Sequence, residues 1–403
     1  VWGKAGGLIA LTVVVMHTAG SCTSYCVLLG SFFKNAFGHW LPDDDPATDF
    51  FMNRNALTPL IGAGILLPIC MFENLDPLRY TSIVAILSVM YCVGMVLTHN
   101  LSEQRDTPVV ALNLSSDFFL AFPLMVVAFC GHYNCLQLYK ELGPTRGPTQ
   151  MHRVLAGACI VCLVTYTVIG FAGYFHFGDA LESSVLDSYD KGDVEVVLAN
   201  AFLFFTIAFS YPLLHHALRR NLDMILFPGK EGSITRLRLL SVPIVFLNVL
   251  IAILVPDVGT ILSFSGSTFG TSLVYLLPAA MYLAVSKDEP KQDSGRMSSL
   301  SAYERIDAFD DDVPPVNVKL WRFGAWLLLV IGVVFGIVGV YASVVNATAS
   351  SSPDSGAPTL APTQAPTLGT MTQAPTTLIT GSQGLVDVLR EAGRLLRTFP
   401  LAC

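Results

Sequence analysis

Charged side chains are scarce in this chain. Only 13% of its 403 residues are Asp, Glu, Lys or Arg, whereas 53% are hydrophobic. The mean hydropathy of +0.58 lies outside the range of soluble domains. Because the charge-free residues form long runs, the composition excludes a water-soluble fold and predicts an all-α, polytopic helical membrane protein.

Three other features are missing. The predicted outward loops between spans contain no cysteine, so no disulfide framework is expected. No metal-ligand spacing or acid/base pair lies on a predicted cytosolic rim, which argues against an enzyme. The chain does not begin with Met and shows no N-terminal signal, and Val1 lies almost directly against an apolar run. We therefore expect a truncated N-terminus.

Nine stretches without a charged residue are long enough to cross about 30 Å of hydrocarbon. They are residues 5–33, 56–72, 80–98, 118–139, 154–177, 196–214, 239–255, 258–286 and 323–345. If Val1 is cytosolic, the inner loops carry 15 of the 23 basic residues and the outer loops four, namely Lys34, Arg54, Arg105 and Lys191. This asymmetry predicts that orientation.

The chain divides into three parts by composition. Residues 1–345 form the predicted transmembrane domain, with a polar cytosolic linker at 287–322. Residues 346–383 are rich in Thr and Pro and resemble an extracytosolic disordered stalk, while 384–403 have the spacing of an amphipathic helix. Three Asn-x-Ser/Thr sequons fall in segments predicted to lie outside, which predicts a glycoprotein: Asn100, Asn113 and Asn346.

The stretch 117–154 combines a span with a break in its middle. Its centre reads Phe129-Cys130-Gly131-His132-Tyr133-Asn134. A glycine among polar neighbours at that depth makes a helix easy to unwind, and unwound backbone in a membrane is tolerated where it lines a cavity or is buried in protein. The sequence therefore predicts a binding site at this break.

Four separated motifs, in order, resemble the amino acid/auxin permease family. FCGHYNCLQLYKEL with QMHRV, at 129–142 and 150–154, is similar to the Cys-His-x-Asn, Glu-Leu and Met-x-x-Val segments of that family, although Gly131 separates Cys130 from His132. Gly-x-x-x-Ser-Tyr-x-x-x-x-Gly at 20–30, Gly-x-x-Gly-Tyr-x-x-Phe-Gly at 170–178 and SFSGSTFGTSLVYLLPAAMYL at 263–283 resemble its third, seventh and tenth helices. The nearest branch is the sodium-coupled neutral amino acid transporters with their vacuolar relatives.

The resemblance implies the LeuT-like fold, in which two inverted five-helix repeats meet at a midplane site formed by broken first and sixth helices. The sixth helix would be 118–139, and the first two would precede Val1. Expected substrate-binding residues are Phe129, Cys130, Gly131 and His132, with Asn134 steadying the break and Tyr25 facing the site. Each has core packing as its alternative role, which is the better interpretation for Tyr25 and Asn134.

The resemblance also matches Ser210 to the family's sodium-contacting hydroxyl, with Thr206 one turn away and Pro212 freeing a carbonyl. The alternative is that Ser210 only bonds its own helix backbone. No cofactor is expected beyond a coupling ion, which is sodium or a proton.

Three functions remain open. The first is a sodium-driven symporter of small neutral amino acids, since charge-free spans suit a zwitterion with a neutral side chain. The second is a proton-coupled or vacuolar/lysosomal exporter, for which His17 and His132 are the titratable side chains inside spans. The third is a nutrient sensor or inactive fragment that does not transport. Expected partners are the lipid bilayer and the amino acid, with no nucleic acid, in a monomer at the plasma or vacuolar/lysosomal membrane.

Overall fold

The computed structural model describes residues 3–38, 46–72, 78–102, 117–131, 135, 139, 148–230, 233–286 and 318–350. Within these residues the chain is helical and contains no strand. The helices are α1 (Gly3–Phe37), α2 (Pro46–Met52), α3 (Arg54–Met71), α4 (Leu78–Ser102), α5 (Asp117–Ala128), α6 (Pro148–Phe177), α7 (Val194–Leu226), α8 (Ile234–Leu254), α9 (Val258–Val285) and α10 (Val318–Ser350).

Eight of the described helices are long and apolar enough to cross a membrane. They coincide with eight of the nine predicted spans. The remaining predicted span, 118–139, is divided, because α5 covers its first half and ends at Ala128. Helix α10 begins at Val318, inside the predicted linker, and continues to Ser350, inside the predicted stalk. The polytopic helical membrane fold is confirmed, while residues 351–403 lie outside the described part.

Large apolar side chains cover the outside of the bundle. On α6, Ile160, Val161 and Leu163 are each more than half exposed, and on α10 Ile337 is 66% exposed. Monomeric soluble proteins rarely expose contiguous apolar patches of this kind. Lipid is the solvent that such a surface requires, so the protein is an integral membrane protein.

The helix ends gather at two opposite faces of the bundle. At one face the end of α4 meets the start of α7, where the His99 ring nitrogen lies 3.3 Å from the Asp193 carboxylate. At the other face α3 ends beside the last turns of α7, where the Arg219 guanidinium donates to the Cys70 carbonyl over 2.6 Å. Consecutive spans that cross a membrane in alternating directions place their ends at two faces in this way. The face that carries Arg219 is the one predicted to be cytosolic.

Helices α1 and α7 make the most extensive helix–helix contact in the bundle, and they run antiparallel. Asn35 near the end of α1 donates to the Asn200 side chain near the start of α7, while Cys26, further back in α1, lies beside Tyr211, further along α7. The phenyl ring of Phe33 likewise packs edge-on against that of Phe204. Along these contacts the residue numbers decrease on α1 as they increase on α7, which defines an antiparallel pair.

The pattern of helix contacts repeats when α1, α3 and α4 are exchanged with α7, α8 and α9. Under this exchange α1 becomes α7, α3 becomes α8 and α4 becomes α9. Helix α1 contacts α3, α9 and α8, and α7 makes the corresponding contacts with α8, α4 and α3. The pairs α1 with α7 and α3 with α8 map onto themselves. Two copies of one three-helix order, running in opposite directions, are what an inverted repeat requires.

Candidate functional site

The helical backbone of α5 ends at Ala128, in the middle of the fourth predicted span. The Cys130 amide bonds the Val127 carbonyl over 3.1 Å, and the Gly131 amide bonds the Phe129 carbonyl over 3.0 Å. These bonds reach back three and two residues instead of the four of an α-helix. A Cβ added to Gly131 would have no heavy atom within 4 Å. The break predicted from the sequence is therefore present, and the described residues leave space beside it.

A tyrosine of α6 closes one side of this break. The Tyr166 hydroxyl donates to the Ala128 carbonyl over 3.3 Å, and its ring meets the Phe129 ring edge-on with the centroids 5.3 Å apart. Tyr25 of α1 packs against the hydrophobic core of the bundle. Helices α5 and α6 thus bring two aromatic rings and one hydroxyl group to the point where the α5 backbone leaves its helix.

The first half of α5 is held against α9 by backbone approach. A Cβ at Gly266 would lie 2.9 Å from the Pro123 carbonyl carbon and 2.8 Å from Cγ2 of Val127, both on α5. Gly339 of α10 has the Pro123 ring at a similar distance. Glycine at these positions lets helices pack more closely than side chains would permit. The segment before the break is therefore anchored, and the anchoring residues lie on α9 and α10.

Helix α9 departs from α-helical geometry where it meets α5. Gly266–Gly270 and Ser272–Leu276 are π-helical turns, a local form that is rare and frequent at functional sites. The Ser265 and Thr268 hydroxyls in this region are buried without a hydrogen-bond partner among the described residues. A Cβ on Gly20 of α1 would lie 2.5 Å from the Ser265 oxygen, so this hydroxyl faces α1.

The two residues matched to a sodium site lie on α7. The Ser210 hydroxyl donates to the Thr206 carbonyl over 2.7 Å, which is the backbone bond that the alternative interpretation expected. The Thr206 hydroxyl is buried and has no hydrogen-bond partner within the described part of the chain. Leaving a buried hydroxyl unsatisfied costs about 1–3 kcal/mol, so this oxygen is available to a ligand that supplies what the helix does not.

Phe129, Cys130 and Gly131 form the turn that follows α5, whereas Tyr25 packs against the core, as its alternative role of core packing expected. Ser210 and Thr206 lie on α7, which packs on α1, α3, α4 and α8. His132 and Asn134 fall outside the described residues. Asn100 lies within α4, and its amide nitrogen, the atom that a glycan would modify, donates one hydrogen to the Ala172 carbonyl over 2.5 Å. Asn346 lies near the end of α10, and Asn113 is outside the described part.

Sequence reasoning missed Tyr166, Ser265 and Thr268. The signal for Tyr166 was its position between Thr165 and Thr167 in an otherwise apolar span. The signal for the α9 hydroxyls was the density of serine and threonine from 263 to 268. No group of three or more His, Cys, Asp or Glu side chains with metal-binding geometry occurs among the described residues.

Comparison with known proteins gives consistent results. Residues 1–300 match the family described as transmembrane amino acid transporter protein. Amino acid transporter AVT6E of Arabidopsis thaliana is 24% identical over 362 residues, which cover 85% of this chain and 68% of that protein. Sodium-coupled neutral amino acid transporter 7 is 24% identical over 322 residues in Danio rerio (75% of this chain, 68% of that protein). The Xenopus laevis protein of the same name is 23% identical over 304 residues, covering 72% and 66%.

Proposed function

Because this chain belongs to the transmembrane amino acid transporter family, we propose that it is a secondary active transporter that binds a small neutral amino acid at the break after Ala128. The observation that carries the proposal is the bond from the Tyr166 hydroxyl to the Ala128 carbonyl beside the open turn at Gly131. Backbone groups released from a helix at mid-membrane are suited to bind the ammonium and carboxylate groups of an amino acid.

The side chains around the break support a neutral substrate. The spans that carry Tyr25, Phe129 and Tyr166 contain no Asp, Glu, Lys or Arg. A charged substrate side chain would enter a low-dielectric site without a counter-charge, which is costly. Aromatic rings and small residues favour a short, uncharged side chain.

Alternating access uses the two halves of the broken span. The half before the break is anchored at Gly266 by the close approach of Pro123, whereas Gly131 contacts nothing within 4 Å of a built Cβ. The turn at 129–131 is therefore where we place the change of access, with the half before it docked on α9.

Uptake measurements test the binding site. In cells expressing the full-length protein, Gly131→Leu should abolish amino acid uptake at unchanged surface expression, because the side chain fills the turn. Gly157→Leu is the matched control, since Gly157 in α6 also has no heavy atom within 4 Å of a built Cβ and lies in regular helix. Normal uptake by Gly131→Leu would move the site elsewhere.

A conservative change at Tyr166 provides the second test. Tyr166→Phe keeps the ring against Phe129 and removes only the hydroxyl that bonds Ala128. One uncharged hydrogen bond contributes about 0.5–1.5 kcal/mol, so uptake should change about 2- to 10-fold. A loss equal to that of Gly131→Leu would show that the ring hydroxyl has a further role, and no change would remove Tyr166 from the site.

For the coupling ion we propose sodium. Support comes from the buried Thr206 hydroxyl one turn before Ser210, which has no hydrogen-bond partner among the described residues, and from the names of the two sodium-coupled relatives. Hard cations prefer several neutral or anionic oxygens. Ser210→Ala should weaken the apparent sodium affinity far more than it shifts the pH dependence, and His132→Gln should retain uptake.

Proton coupling, with export from a vacuole or lysosome, is the second candidate. It is favoured by His17, a titratable side chain that is only 2% exposed in the middle of α1. Uptake that persists when choline replaces sodium and collapses with the proton gradient would establish it. A protein that binds the amino acid without moving it under either gradient would be a sensor.

A further inference from the structure

A basic cavity lies at the predicted cytosolic face, away from the break. It has a volume of about 600 Å³ and is bounded by the end of α3, the last turns of α7 and the first turn of α8. None of its described lining residues belongs to α1, α5, α6 or α9. The cavity is therefore separate from the proposed substrate site, and we call it the cytosolic basin.

Positive charge dominates the cytosolic basin. Arg219, Arg220, Lys230 and Arg238 line it, and Asp223 is the single acid among its described lining residues. Asp223 is already engaged by Arg236 through a two-point ion pair, with one bond from Nη2 over 2.8 Å and a shorter one from Nε. Because Arg236 neutralises the Asp223 carboxylate, the positive charges of the four lining cations are not balanced by an acid among the described lining residues.

One of these cations has a structural role. Arg219 is only 4% exposed, and its guanidinium donates to the Cys70 carbonyl over 2.6 Å and to the Ser241 hydroxyl over 3.2 Å. A guanidinium at the carbonyl end of α3 is favourable because the helix dipole is negative there. Arg219 thereby fixes the wall of the basin and joins α3, α7 and α8.

The other three cations are exposed around the opening. Arg238 donates from Nε to the Met71 carbonyl over 3.3 Å, and its two terminal nitrogens make no hydrogen bond within the described part of the chain. Lys230 lies 5.7 Å from the Phe227 ring centre. Among the described residues, which do not include Glu73, Asp76 and Glu231, these two side chains and Arg220 have no carboxylate partner within 4 Å. They are placed to bind an external anion.

The chemistry of the walls indicates which anion. Beside the cations the cavity has apolar walls from Met224, Ile234 and Leu237, and Met224 and Ile234 are about half exposed next to the membrane-spanning parts of α7 and α8. Basic pockets between helices on the cytosolic side of a membrane suit phosphorylated head groups, because Arg and Lys match phosphate oxygens. We propose that the cytosolic basin binds a multiply charged phosphate ester through Arg220, Lys230 and Arg238.

Thermal stabilisation of the purified full-length protein tests this proposal. Three probes are titrated: short-chain phosphatidylinositol bisphosphate, inositol trisphosphate without the lipid, and short-chain phosphatidylcholine. Stabilisation by the phosphoinositide but not by phosphatidylcholine supports the site. Equal stabilisation by inositol trisphosphate would identify a soluble phosphate ester, and stabilisation only by the lipid would identify a membrane head group. No stabilisation by either phosphorylated probe would overturn the proposal.

Charge-matched variants assign the effect to the basin. The triple change Arg220→Gln, Lys230→Gln and Arg238→Gln should weaken the apparent affinity roughly 100-fold, since each basic residue near a phosphate contributes about a fivefold factor. A control removes the same charge at the same face, outside the basin, with Lys4→Gln, Lys319→Gln and Arg322→Gln. If the triple variant does not fold, each single change should still weaken binding about fivefold. Equal losses in the triple and control variants would show only non-specific charge attraction and would refute the site.

Discussion

The close packing of α5 on α9 makes a quantitative prediction at Gly266. A Cβ added there would lie 2.9 Å from the Pro123 carbonyl carbon, whereas ordinary contacts begin at 3.4 Å. The Pro123 carbonyl oxygen would lie closer still, so the Pro123 backbone would have to retreat by more than about 0.5 Å, and the Val127 methyl group, at 2.8 Å, would have to move with it. Backbone yields less readily than the end of a flexible side chain, so Gly266→Ala should be destabilising.

The expected magnitude is that of overpacking a well-packed core. Such changes cost about 1–3 kcal/mol, and the upper part of this range applies where backbone atoms must move. The free energy of unfolding should fall by this amount, seen as a lower melting temperature of the detergent-solubilised protein. Uptake should fall further than stability alone predicts, because the displaced helix carries the break at its end.

Gly64→Ala is the matched control. Gly64 also lies in a π-helical turn, Gly62–Leu66 of α3, but a Cβ there would meet no heavy atom within 4 Å. The control should melt at or above the temperature of the parent protein, since Ala is a better helix former than Gly. If Gly266→Ala has the same melting temperature as Gly64→Ala and transports normally, the close approach of α5 to α9 is refuted.

Two further predictions concern the scaffold and the topology. Asn248→Ala should lower the free energy of unfolding by about 1–3 kcal/mol, measured by thermal melting. The reason is that the Asn248 side chain accepts from the Thr23 hydroxyl over 3.3 Å and donates to the Tyr211 hydroxyl over 3.2 Å inside the core. An unchanged melting temperature would contradict this network. A protease site or tag at Asp310 should be protected in intact cells and one beside Asn346 accessible, and the reverse result would invert the membrane orientation.

Much of the membrane architecture was predictable because it depends on composition alone. A run of apolar residues without charge is stable across lipid wherever its neighbours lie, since a helix satisfies its own backbone hydrogen bonds. Eight predicted spans are therefore found as helices, and the ninth contains the break that Gly131 and its polar neighbours indicated. Family membership was likewise predictable from short motifs.

The helix ends do not coincide with the edges of the apolar runs. The predicted sixth span ended at 214, whereas α7 continues to Leu226. Its extra turns carry Arg219 and Asp223, which are buried because α3 and α8 supply carbonyls, a hydroxyl and a counter-charge. A hydropathy boundary marks where charge begins, and a helix continues past it when neighbouring helices satisfy that charge.

The sequence by itself determined the membrane class, the order of the eight spans found among the described helices, and the place where the remaining predicted span breaks. Only the tertiary structure decided that the Tyr166 hydroxyl bonds the Ala128 carbonyl and that the Pro123 backbone packs directly against Gly266. It also decided that Arg220, Lys230 and Arg238 surround the cytosolic basin. The physical reason is that a helix in lipid is apolar on all sides, so its residue pattern does not show which face meets another helix. Contacts between residues about 40 to 140 positions apart are then fixed by packing, by small residues that permit approach and by hydroxyls that require a partner.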